Sequence, residues 1–143
     1  MHISIAALLS LGLVLSSCNK DENISPPEVT LIELGYDNSK TGYPGEEFHI
    51  EAEVLAEGKI DRIEVGMHLE GEHTKALGSL KDDHHWHFDT TYTEFQGLKN
   101  TVFHKHIMIS AEADTGHYHF HFKVTDMEGN QTEKAAEIEI IHP

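Results

Sequence analysis

The stretch His117-Tyr118-His119-Phe120-His121-Phe122-Lys123-Val124 decides how the chain folds. Tyr118, Phe120, Phe122 and Val124 fall on one parity; His117, His119, His121 and Lys123 fall on the other. Strict alternation is the period of a β-strand with one buried face, because successive side chains leave the backbone on opposite sides. Asp126-Met127-Glu128-Gly129-Asn130 then reads as a turn, since Asp, Gly and Asn accept the backbone angles that turns require. This one segment predicts an aromatic β-sheet core and a row of imidazoles on the outer face.

The pattern extends in both directions. Downstream, Ala136, Ile138 and Ile140 alternate with Glu137 and Glu139. Upstream, Phe103, Ile107 and Ile109 share a parity opposite His104 and His106, with Lys105 on the apolar side, where its long stem is expected to snorkel. Ile63, Val65, Met67 and Leu69 alternate with Glu64, Gly66 and His68, and Phe48, Ile50, Ala52 and Val54 with His49, Glu51 and Glu53. Trp86 and Phe88 share a parity, with Trp86 expected as a central core aromatic, and Val29 to Leu34 forms the first strand. Residues 37–42 read as a turn. About seven strands separated by turn signals, with no sustained helical period after Cys18, predict an antiparallel β-sandwich.

The chain has 143 residues, enough for one such domain. Lys and Arg number 10 against 25 Asp and Glu, a formal charge of −15. That charge disfavours nucleic acid and anionic lipid headgroups and favours cations as partners. Residues 3–15 form an uncharged apolar run broken only by Ser4, Ser10 and Gly12, too short for a membrane span of roughly 20 residues but suited to a signal-peptide core. Leu15-Ser16-Ser17-Cys18 resembles the lipobox of bacterial lipoproteins, and Cys18 is the only cysteine. The resemblance implies cleavage before Cys18 and its acylation, leaving 143 − 17 = 126 residues. The expected organisation is a signal peptide (1–17), a lipidated Cys and linker (18–28), and a sandwich domain (29–143). The expected location is the bacterial cell envelope, the chain being tethered to the outer membrane through its lipid.

Tyr118 to Thr132, with its Tyr-x-Phe-x-Phe-x-Val-Thr-Asp-x-x-Gly-Asn-x-Thr pattern, resembles a strand hairpin of bacterial immunoglobulin-like domains. More broadly, residues 18–143 resemble an uncharacterised family of bacterial envelope lipoproteins. The resemblance rests on the lipobox, Pro26-Pro27, the segments 56–61 and 97–106, and the His-x-His-Phe-x-Val-Thr-Asp run. It implies an immunoglobulin-like sandwich and an envelope location; it does not supply the chemistry.

Chemistry is carried by the 13 histidines. Eight cluster as His84, His85 and His87; His104 and His106; and His117, His119 and His121. On a strand, positions i and i+2 share a face about 6.8 Å apart at Cα. Two imidazole nitrogens about 2 Å from one ion lie roughly 3–3.5 Å apart, a gap that rings leaning together close. His-x-His on a strand is therefore a bidentate clamp for zinc, copper or nickel.

The sandwich analogy puts the third, sixth and seventh strands in one sheet. That sets His68 and Glu64 beside His117, His119 and His121, the lead ligands. The second, fourth and fifth strands share the other sheet, setting His49 beside His104 and His106, with His85 and His87 near them. The expected function is reversible capture of a divalent transition metal, zinc or copper, with release on protonation. The alternative is an immunoglobulin-like accessory module docking a protein or glycan partner of the envelope. Weaker features are the Asp82-Asp83-His84-His85 cluster, Met67 and Met108 as soft copper donors, and Asp126 and Glu128 beside Gly129, read as a hairpin turn. No nucleophile elbow or phosphate loop is present, so no enzyme is expected.

Overall fold

The computed structural model of the protein describes residues 23–71 and 85–143. The expected signal peptide, Cys18, and Asp82-Asp83-His84 lie outside the described residues. Two sheets face each other. One has the order β1 (Glu28–Leu34), β3 (Glu47–Leu55), β6 (Asn100–Met108). The other has the order β2 (Thr41–Gly42), β8 (Gln131–Ile140), β7 (Gly116–Asp126), β4 (Ile60–Leu69), β5 (Phe88–Tyr92). Among the described residues there is no α-helix, only a single 3-10 turn at Tyr36–Asn38.

The alternation read from sequence fills the interior. Tyr118, Phe120, Phe122 and Val124 are fully buried, as are Ile50, Ala52, Val54, Ile63, Met67 and Phe103. Phe103 of one sheet meets Phe122 of the other edge-on, with centroids 5.0 Å apart at 85°. Aromatic rings favour that arrangement because a positive edge meets a negative face. Lys105, on the inner parity of edge strand β6, does snorkel. Its ammonium donates to Glu94 at 2.7 Å and lies over the rings of Tyr92 and Phe95. That hydrogen bond is the main cause holding the Glu94 carboxyl below its ordinary value.

Three expectations are corrected. There are eight strands, because the segment read as a turn ends in the two-residue strand β2, which pairs in parallel with β8 and is too short to show a period. The fourth strand read from sequence, β5, pairs with β4 and not with the β3–β6 sheet. Its burial pattern is intermediate and exposed by turns, as befits an edge. Trp86 is half-buried at the rim, packed on Tyr118 at 5.8 Å, and Phe48, Phe103, Phe120 and Phe122 hold the centre.

Candidate metal centre

The outer face of the three-stranded sheet brings three histidines together. Register pairs His49 with His106 and Glu51 with His104 on successive rungs of β3 and β6. Cross-strand neighbours on one face approach within about 5 Å at Cβ, so four side chains share a small patch. His49 and His106 stack at 5.0 Å and 8°, and His104 tilts against His49 at 4.7 Å and 44°. His104 Nε2 and His106 Nε2 are 3.2 Å apart. One ring hydrogen-bonds the other there, and the separation is also the one expected of two imidazoles on one tetrahedral ion. One ring nitrogen from each of the three lies within 4.8 Å of the others.

Position in the sheet explains the unequal burial. β6 is an edge, so His104 and His106 stand exposed. β3 is central, so His49 is shielded from both sides and is only 8 % exposed. His49 Nδ1 lies 3.2 Å from Glu33 Oε1. With Nδ1–H donating there, the Nε2 lone pair is left to point elsewhere, the arrangement by which an outer carboxylate prepares a histidine for a metal. His49 Nε2 is buried and makes no hydrogen bond. Glu47 Oε2 stands 3.6 Å from His106 Nδ1, a second and looser carboxylate behind a ring.

Glu33 reaches this place because of a bulge. Val29 and Leu31 face inward, and unbroken alternation would carry Glu33 into the core as well. The register slips between Leu31 and Glu33, which leaves Ile32 as the extra residue. Glu33 then lies opposite Glu51 on the outer face, and Leu34 opposite Ile50 on the inner one. Re-aiming one side chain is what a bulge does. The turn that follows is strained: Asp37, Asn38 and Lys40 have φ of 55°, 54° and 57°, a conformation costing of order 1–3 kcal/mol per non-glycine residue.

Side chains offset that strain. Asn38 Oδ1 accepts from the Leu34 N–H at 3.1 Å, and Glu33 accepts from the backbone of Asp37 and Asn38. Desolvation pushes the Glu33 carboxyl up. The hydrogen bond from His49, the two backbone donors and the nearby His49 charge outweigh it and hold the group below its ordinary value.

The face weighted first by sequence is assembled differently. His68 stacks on His121 at 5.0 Å and 9°, and His119 lies 5.5 Å from His68. Glu133 lies 2.7 Å from His121 Nδ1. These rings approach one another, but among the described residues the only groups of three or more ligand atoms within 4.8 Å are His49–His104–His106 and Glu33–His49–Glu51. A pocket of about 320 Å³ beside His68 and His121 also contains Lys123, whose ammonium is 3.0 Å from Glu64 Oε2. A side-chain cation is thus already paired with the carboxylate there. His117 is exposed and lies opposite Glu139.

His85 and His87 do not lie near His104 and His106, because β5 belongs to the other sheet. His85 Nδ1 is 2.6 Å from Asp114 Oδ2, and His87 is exposed. Met67 is fully buried. Met108 is exposed, one rung past His106 and opposite Glu47. Asp126 is spent on its own turn, accepting from the backbone of Glu128 and Asn130. His49 has no histidine two residues away, so spacing alone did not give it the weight of the paired positions; its place across from His106 was the available signal.

A family model, the domain of unknown function DUF4625, matches residues 16–141, and the chain belongs to that family. No curated protein matches the chain.

Proposed function

We propose that this member of the DUF4625 family is a lipid-anchored envelope protein that reversibly binds a divalent transition metal, zinc or copper, through His49, His104 and His106. The observation that carries the reading is the buried His49 Nε2 without a hydrogen-bond partner, on a residue with a ring nitrogen within 4.8 Å of nitrogens of both His104 and His106. A buried polar atom left unpaired costs about 1–3 kcal/mol. A metal ion converts that cost into a coordinate bond. The formal charge of −15 draws cations to the surface, and neutral imidazole prefers transition metals to calcium and magnesium. The exposure of His104 and His106 suits exchange with solvent rather than permanent retention.

A second reading, an accessory module docking a protein or glycan, is favoured by Leu55 and Val102, which are 55 % and 53 % exposed in one groove of the same sheet. Equilibrium dialysis of the metal-stripped full chain in detergent, followed by elemental analysis, separates the two. The metal reading expects uptake of zinc or copper at about pH 7.5 and release at about pH 5.5, across the ordinary imidazole pKa. His49→Ala abolishes this uptake, and the double substitution His119→Ala and His121→Ala leaves it in place. Uptake unchanged by His49→Ala, or absent from the wild type, sinks the reading.

A further inference from the structure

We propose that Glu51 is the fourth ligand of this centre and that it commits the site to a divalent ion, zinc(II), over copper(I). The proposal rests on the metal reading above. His49 and Glu51 lie on one strand and share its outer face; His106 and His104 lie directly opposite them. Two adjacent rungs thus carry four donors at the corners of a rectangle, three imidazoles and one carboxylate. Glu51 Oε2 is 3.9 Å from His49 Nε2. Ligands at about 2.0–2.1 Å from a tetrahedral zinc lie roughly 3.3 Å apart, so Glu51 is near its place beside His49, and its carboxylate and the rings must turn toward one another to bring it within reach of His104 and His106.

The neighbouring groups are placed for other tasks. Glu33 is held on the Nδ1 side of His49, and Glu47 flanks the Nδ1 side of His106. Glu53 lies one rung beyond, opposite Val102. Met108 lies on the Glu47 rung, one rung past His106 and two past His104. Of the carboxylates on this face, Glu51 is the one on the Nε2 side of His49. A hard carboxylate favours a doubly charged borderline ion, whereas copper(I) is selected by thiolate and thioether sulfur. His49 stacks on His106 with 8° between planes; both rings must splay for their lone pairs to meet at one point.

The test compares wild type, Glu51→Gln and Glu53→Gln as full chains, using zinc(II), cobalt(II) and, under reductant, copper(I) as separate probes. Loss of an outer-shell partner alone typically weakens binding roughly 10–100-fold, so loss of a direct ligand should cost Glu51→Gln at least about tenfold in zinc affinity. Its cobalt visible spectrum should shift in position and intensity, because water takes the place of the carboxylate in the four-coordinate set. Its copper(I) affinity should stay at the wild-type value, because the three imidazoles remain. Glu53→Gln should match wild type in every measurement.

Unchanged zinc affinity in Glu51→Gln overturns the proposal. So does an equal fall in zinc and copper(I) affinity, which marks a structural role, or an equal fall in Glu53→Gln, which marks general surface charge. In those cases the three-histidine reading stands. A wild type that takes up no zinc overturns both.

Discussion

Glu33→Gln tests whether the centre is prepared from behind. The amide keeps the size of the side chain and an oxygen that accepts one hydrogen bond. It loses the negative charge that faces His49 Nδ1 across 3.2 Å and that also takes the backbone N–H groups of Asp37 and Asn38. Without that charge the Nδ1–H tautomer is less favoured and the Nε2 donor is less basic. Losing such a partner typically costs roughly 10–100-fold in metal affinity, about 1.4–2.8 kcal/mol. Glu47 stands farther off, 3.6 Å from His106 Nδ1, and its carboxylate is more exposed. Glu47→Gln should therefore cost less than Glu33→Gln. The assay is competition against a chromophoric zinc chelator at about pH 7.5, well above the ordinary imidazole pKa. Far-ultraviolet circular dichroism should confirm that both variants keep the sandwich. Wild-type affinity in Glu33→Gln, or a larger loss in Glu47→Gln, refutes the reasoning.

Two further outcomes follow from the packing and from Glu33. Phe122→Ala removes a fully buried ring that touches Phe103 across the two sheets; the loss should be about 3–5 kcal/mol in urea unfolding of the metal-free chain, and a loss under about 1 kcal/mol would mean the sheets are not locked there. The Glu33 carboxyl titrates below its ordinary value in the folded chain, so its contribution to stability is present above the ordinary carboxylate pKa and is lost as pH falls through the depressed folded value. Wild type should then lose more stability on acidification below about pH 4.3 than Glu33→Gln does, as read by denaturant midpoints at successive pH values; parallel curves would contradict the assignment.

The β-sandwich was legible because burial of one face writes a period of two into the sequence. Phe120 and Phe122 announced their strand, and His104 and His106 announced a shared outer face, since neither inference needs a partner strand. Lys105 on the apolar parity was readable too, because its stem is long enough to carry the charge past the rim.

Alternation is silent on which strands are neighbours. The sandwich analogy had to supply the neighbours, and it misplaced β5, and with it His85 and His87. Glu33 shows the same limit. By parity it belongs with the core, and only pairing with β3, which expels Ile32 as a bulge, turns it toward His49. The sequence by itself determined the strands, the buried aromatics and the outward imidazoles, because those depend on local backbone geometry and the cost of exposing apolar surface. Tertiary structure alone decided which imidazoles meet, how deeply His49 is buried and which carboxylates stand behind them, because register and strand order are long-range choices made when two sheets close on one core.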